Sequence, residues 1–170
     1  MKKSYLFLLG ILVLVFEMTV TGCGLLANVA VSEASHSIAE ARGIKSASDT
    51  ISAKMVNALP AGTSIAVLSI ESRDPQEASY VISELEYAFV NSGRFQIASR
   101  SSVDAVMSEQ KFQLSGNVSD ADAVSIGRMA GASIVITGNV NRTSTTNTLA
   151  VRAIDVGTAQ ILFMERETFR

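Results

Sequence analysis

The chain has 170 residues with 14 basic and 16 acidic side chains, and it contains one cysteine, one histidine and no tryptophan. This near balance, without a run of basic residues, argues against a nucleic-acid-binding protein. A single cysteine excludes an intrachain disulfide, and one cysteine with one histidine cannot form a structural zinc site. After a leader is removed, the remaining length suits one domain with an ordinary hydrophobic core.

The first 23 residues have the three parts of a bacterial export signal. Lys2 and Lys3 supply a basic start, residues 5–16 form an apolar stretch, and Val20-Thr21-Gly22-Cys23 closes it with small residues before cysteine. The closing tetrapeptide resembles the lipobox of bacterial lipoproteins. The resemblance implies that residues 1–22 are a signal peptide and that acyl chains on Cys23 hold the protein at a membrane, because each buried methylene contributes about 0.8 kcal/mol.

Two other interpretations of this segment stay open. It could be a transmembrane anchor, although its apolar part is shorter than the roughly 20 residues of a span and Glu17 shortens it further. Alternatively, Cys23 could lie by chance beside an ordinary secretory cleavage site. Gly24, where enteric inner-membrane lipoproteins have aspartate, favours an outer-membrane location facing the periplasm in a host with two membranes.

Residues 23–48 are interpreted as a tether, and residues 49–170 as one folded domain. The tether has small residues, scattered charges and a roughly helical pattern that Gly43 is expected to break. It is either a loosely formed helix or a flexible linker. His36 lies in this stretch, where a solvated linker histidine is the expected interpretation.

The first half of the domain alternates helical and strand patterns. Apolar residues at every fourth position predict a short helix that ends at Pro60, and the apolar run Ile65–Ile70 predicts a strand covered on both faces. Asp74-Pro75 opens a second helix, which Gly93 ends. Residues 95–98 form a second strand, parallel to the first because a helix of this length makes a crossover.

Two further helices and three strands complete the domain. Ser101 is expected to cap one helix and Ser119 the next, where Gly127 is small enough to allow close approach to a neighbour. The last three strands are predicted at 133–140, 148–156 and 159–169, joined by hairpins. The fold class is therefore α/β: a small mixed sheet of about five strands, with a parallel N-terminal pair joined by a crossover helix, a C-terminal antiparallel meander, and helices packed on the sheet.

The residues that catalysis requires are scarce. No nucleophile has a histidine base in the domain, no Gly-x-Ser-x-Gly elbow occurs, and no glycine-rich loop could hold a phosphate. Nearby carboxylates such as Asp120 and Asp122 are explained by a helix N-terminus, where acids favour the dipole. The sequence therefore predicts no catalytic residues, no metal site and no cofactor.

Short motifs along the domain occur in the order found in one known superfamily. The body from about Ile65 to Ile161 resembles the curli-transport component (CsgG) superfamily, and is most similar within it to penicillin-binding-protein activator lipoproteins of the LpoB type. Ser99 stands where these proteins usually have aspartate. The residues that carry the resemblance are Ile65-Ala66-Val67-Leu68, Asn91-Ser92-Gly93-Arg94-Phe95, Arg100, Glu109-Gln110, Ile126-Gly127, Gly131-Ala132, Ile136-Thr137-Gly138 and Val151-Arg152-Ala153-Ile154-Asp155-Val156.

The resemblance implies a non-catalytic, periplasm-facing binding module that docks onto a cell-envelope protein such as a peptidoglycan synthase. The alternative is a self-associating subunit of an envelope assembly or curli-like secretion complex, built as a homo-oligomer through strand edges. A barrel-forming pore would need additional alternating apolar hairpins, and the chain has no insertion long enough for them.

Arg100, Glu109 and Gln110 have two interpretations. In the functional one, they form part of a docking surface after the second strand. In the structural one, Arg100 pairs with an acid and orders the strand-to-helix turn. Both interpretations are carried to the structure.

Overall fold

The computed structural model of the protein describes residues 41–109 and 119–170, and Arg42–Arg170 form one compact unit. Residues 1–22, which the sequence predicts to be a signal peptide, and Cys23 lie outside the described residues. Within those ranges, no helix combines the length and apolarity that a membrane crossing requires. The elements in chain order are α1 (residues 41–58), β1 (Ser64–Glu71), α2 (Pro75–Ser92), β2 (Gln96–Ile97), α3 (Arg100–Glu109), α4 (Asp120–Met129), β3 (Ile134–Arg142), β4 (Asn147–Asp155) and β5 (Ile161–Phe169).

The five strands form one mixed sheet in the order β2-β1-β3-β4-β5. Strand β1 pairs in parallel with β2 on one side and with β3 on the other, whereas β3, β4 and β5 form an antiparallel meander. The predicted fold class is confirmed, including the crossover through α2. Strand β2 has two residues instead of the four expected, because α3 begins at Arg100.

One face of the sheet is covered along its whole length by α1 and α2. The apolar face predicted for α1 is buried, and Val81, Leu85 and Phe89 of α2 face the same core. This core extends from β1 to Phe169 at the end of β5. The α1 residues in it are Ile44, Ala47, Ile51, Met55 and Leu59.

The opposite face is covered only over the first half of its strands. Helices α3 and α4 pack there on Ala66 and Leu68 of β1, Val135 of β3 and Ile154 of β4. Beyond these residues, the same face carries mostly polar side chains, of which Asn139 and Arg166 are exposed. The strands therefore separate a complete helical layer from a half-open one.

Both predicted ends of α2 and the predicted start of α4 are confirmed. Asp74 caps α2 by accepting a hydrogen bond from the Gln76 amide at 2.9 Å, Gly93 ends it with φ of 63°, and Ser119 caps α4. The assignment of Ser101 as the cap of α3 is wrong. Ser99 takes that position, and its hydroxyl accepts from the Ser102 amide at 3.3 Å, because the helix begins two residues earlier than expected.

The compact unit begins before residue 49, the boundary expected from sequence. Helix α1 runs through Gly43, so the expected break there is wrong. A Cβ atom at Gly43 would collide with the Arg170 carbonyl oxygen, and glycine therefore lets the end of the chain lie directly against the helix. Ile44 and Ala47 are buried, which makes part of the presumed tether a piece of the core.

A partly buried ion pair fastens the start of α2 to the end of β3. Glu77 is 9% exposed. Its carboxylate accepts hydrogen bonds from Ser72 Oγ at 2.7 Å and from Arg142 Nε at 3.1 Å. The Arg142 guanidinium also lies 5.5 Å from the centre of the Phe169 ring. These contacts hold the C-terminal ends of β3 and β5 to the α2 layer.

Gly127 lets α4 lie directly on the sheet, so the neighbour of this small residue is a strand. A Cβ atom there would lie 2.9 Å from Val156 Cγ2 and closer still to the Val135 side chain. Glycine to alanine in an exposed helix usually stabilises by about 1 kcal/mol. We expect Gly127→Ala to lower the free energy of unfolding by about 1–3 kcal/mol instead, because of overpacking.

Denaturant unfolding followed by circular dichroism measures this change. Ser125→Ala is the matched control, since Ser125 is exposed on the same helix, and its effect should stay within about 0.5 kcal/mol. A Gly127→Ala protein as stable as the control would contradict the proposed packing.

Candidate partner-binding surface

Arg100 lies at the first position of α3 and points back towards β1. Its guanidinium Nη1 donates to the carbonyl oxygens of Val67 at 2.9 Å and Leu68 at 3.1 Å. The Ile65 carbonyl, two residues earlier, accepts instead from the backbone of Ala98 at 2.9 Å. The arginine side chain therefore continues the hydrogen bonding of β1 beyond the point where β2 ends.

Acidic groups on two helices surround this guanidinium. Arg100 Nε donates to Asp104 at 2.9 Å, which is the pairing with an acid that the structural interpretation required. Burial raises the pKa of the Glu86 carboxyl on α2, the Arg100 charge opposes that rise, and Asp104 adds to it. Arg100 thus links α3 to β1 through hydrogen bonds. Its docking role stays a prediction.

The other predicted surface residues do not converge with Arg100. Glu109 is exposed at the end of α3, nine residues later, which at about 100° per residue is the opposite side of the helix. At about 1.5 Å per residue, the two positions are also roughly 13 Å apart along its axis. Gln110 and Cys23 lie outside the described residues. The structure therefore does not gather Arg100 and Glu109 into one site.

The half of the sheet that α3 and α4 leave uncovered forms a second candidate surface, here called the open sheet face. Directly paired residues share a face, so the strand register defines two rows that cross it from β1 to β5. The first row is Ser69, Thr137, Arg152 and Met164, and the second is Glu71, Asn139, Ala150 and Arg166. The only sequence signal for this surface is the alternation of side chains along each strand, because the residues of a row come together only through the pairing register of four strands.

A cleft of about 220 Å³ lies on the open sheet face. Ala150 has the smallest side chain of the second row and lies between Asn139 and Arg166, so a dip in the floor is expected at this position. The walls come from longer side chains of the two rows. The lining residues are Glu71, Thr137, Gly138, Asn139, Ala150, Val151, Arg152, Met164 and Arg166.

The two arginines of the cleft differ in their surroundings. Arg152 donates to Thr137 Oγ1 at 2.9 Å and pairs with Asp120 at the start of α4 at 2.7 Å, so its charge is already balanced. Arg166 is exposed, and its guanidinium has neither a hydrogen bond nor an ion pair in the part of the chain that the structure describes. Arg166 therefore presents a free guanidinium fork to any visiting anion.

Exposed apolar side chains cluster on the outermost strand beside this cleft. Met164 is 60% exposed, Ile161 51% and Leu162 42%, and all three belong to β5. Strand β5 lies at the edge of the sheet and is paired only with β4. An edge strand with apolar and cationic side chains is typical of a protein contact surface.

The described residues show few groups suited to chemistry. Across 41–109 and 119–170, no three His, Cys, Asp or Glu side chains are placed to hold a metal ion. The acids nearest the cleft are Glu71, at one end of the second row, and Asp120, which is tied to Arg152. What this arrangement offers is recognition through charge, hydrogen bonding and shape.

Comparison with known proteins yields one family and several related structures. The family described as "Peptidoglycan-synthase activator LpoB" matches residues 65–162, from the second residue of β1 to the second residue of β5. No curated protein matches the chain.

Solved structures share the fold at low sequence identity. The LpoB C-terminal domain from Salmonella enterica is 19% identical, with a TM-score of 0.63, covering 74% of this chain and 96% of that one. The LpoB C-terminal domain from Escherichia coli is also 19% identical, with a TM-score of 0.61, covering 74% of this chain and 96% of that one. The NMR structure of E. coli LpoB is 21% identical, with a TM-score of 0.61, covering 75% of this chain and 67% of that one.

The inward hydrogen bonds of Arg100 predict a clear difference between two substitutions. Arg100→Ala should lower the free energy of unfolding by about 1–3 kcal/mol, because two β1 carbonyls lose a charged donor. Asp104→Ala removes only an exposed ion pair and should cost less than about 1 kcal/mol. Thermal unfolding of both variants checks this, and equal losses would show that the ion pair, not the carbonyl contacts, is what Arg100 contributes.

Proposed function

Since the chain belongs to the peptidoglycan-synthase activator LpoB family, we propose that it is a lipid-anchored regulator that binds a peptidoglycan synthase and raises its activity by contact alone. The observation that carries the proposal is the family match across residues 65–162, which spans the fold from the second residue of β1 to the start of β5. The fold shared with three LpoB structures supports it. The scarcity of reactive groups in the described residues fits a protein that acts through its surface.

The anchor and its location complete the proposal. Acyl chains on Cys23 hold the protein at the outer membrane, with the folded unit in the periplasm. Residues 24–41 separate this cysteine from Arg42, and even fully extended they would span at most about 65 Å. The first residue of the folded unit must therefore lie within that distance of the membrane, and the reach of the binding surface is this distance plus the dimensions of the unit itself.

The alternative from sequence, a self-associating subunit of an assembly or secretion complex, is not favoured by the family match. Homo-oligomerisation and membership of the wider curli-transport superfamily remain predictions. The same holds for the docking role of Arg100, Glu109 and Gln110.

An activity assay tests the proposed function. The acylated protein, purified in detergent, is added to each penicillin-binding protein of the source bacterium while glycan polymerisation and peptide crosslinking are followed. We expect a saturable increase in at least one of the two rates for one synthase, together with its co-purification. The protein incubated with substrate but no synthase is the control, and turnover in that control would reveal an enzyme instead.

The lipid attachment predicts the behaviour of one variant. Cys23→Ala should abolish incorporation of labelled palmitate and move the protein from the membrane to the soluble fraction, because the acyl chains supply the membrane affinity. Ser4→Ala, in the signal peptide but away from the cleavage site, is the control and should be acylated normally. Palmitate incorporation that survives Cys23→Ala would place the anchor elsewhere.

A further inference from the structure

We propose that the cleft on the open sheet face is where the partner docks, and that it receives a carboxylate-bearing side chain of that protein on the free guanidinium of Arg166. The inference rests on the proposed function and adds to it a surface and the chemistry of the contact. Its structural basis is the row of paired residues that runs across four strands from Glu71 to Arg166.

The position of each residue in this row gives it a distinct part in recognition. Neighbouring strands lie about 4.8 Å apart, so the Cα atoms of Glu71 and Arg166 are separated by about 14 Å. Ala150 lies between them and leaves room above the sheet for an incoming side chain. Asn139, on the near side of that space, is exposed and offers an amide with both a donor and an acceptor.

Charge selects the class of side chain. Asp120 forms an ion pair with Arg152. Arg166 forms no ion pair with an acidic side chain of the described residues, so the guanidinium at this end of the cleft lacks a counter-charge. A planar fork of donors matches a carboxylate through two parallel hydrogen bonds. An acidic side chain therefore fits the Arg166 end, and a lysine or arginine there would be repelled.

The surroundings of Arg166 favour a protein partner. Met164, in the adjoining row, is largely exposed and presents a flexible apolar surface next to the guanidinium. Ile161 and Leu162 extend this apolar strip along the same edge strand. An acid flanked by apolar side chains complements the two features together, whereas a saccharide would require the aromatic platforms that the lining residues lack.

Binding measurements with matched variants test the proposal. Arg166→Glu should weaken binding of the acylated protein to the synthase it activates by about 10- to 100-fold, and the weakening should shrink as salt increases. Ala150→Tyr, which fills the dip without changing charge, should also weaken binding. Arg42→Glu makes the same charge change at an exposed position of α1, in the layer on the opposite side of the sheet, and should bind like the unmodified protein.

Each result separates the surface from the function. If the unmodified protein binds and activates a synthase while Arg166→Glu matches Arg42→Glu, the surface is overturned and the proposed function stands. If both charge variants weaken binding equally, general charge attraction replaces the site. If Arg166→Glu instead abolishes binding to purified peptidoglycan sacculi, the occupant is not a protein. If no synthase binds at all, both proposals fall; thermal unfolding of every variant verifies that it is folded.

Discussion

The structure depends on the parallel pairing of β1 with β3, whose first halves are buried on both faces. A strand covered on both sides must be apolar throughout, and the stretch from Ile65 to Leu68 meets that requirement. Helix α2 packs on one face of this pair, and α3 and α4 pack on the other, whereas α1 joins the α2 side and contacts β5. Because α3 and α4 are short, the second layer ends halfway along the strands, and the open sheet face is the direct result.

Patterns local in sequence were sufficient for most of this architecture. The every-fourth-residue spacing in α1, the Asp74-Pro75 start and the Gly93 end of α2, and the successive hairpins of β3 to β5 each carry their own signal. The crossover rule predicted the parallel pairing of β1 with β2, and the hairpins predicted the β3–β4–β5 meander, but no sequence signal placed β3 beside β1. Each of these signals involves residues close together in the chain, so it can be recognised in a single sequence.

Features created by contacts between distant segments were not predictable. The extra turns of α1 are stabilised by β5, about 120 residues later, and Gly43 looks like a helix breaker until the Arg170 carbonyl is seen beside it. Helix α3 begins at Arg100, whose side chain binds the β1 carbonyls, so its cap is Ser99 and not Ser101. Glu77 is buried, although the sequence predicts an acid on the helix surface. The candidate cleft requires the register of four strands, which no local pattern specifies.

The contact between Gly43 and the end of the chain has a practical consequence. Gly43, in the first turn of α1, and Arg170 share one corner of the folded unit. A fluorophore or affinity handle attached at Arg170 would therefore lie beside the start of α1, far along the sequence yet adjacent in space. Such a label would crowd that corner, and an internal label in the exposed Thr143–Thr146 hairpin would avoid it.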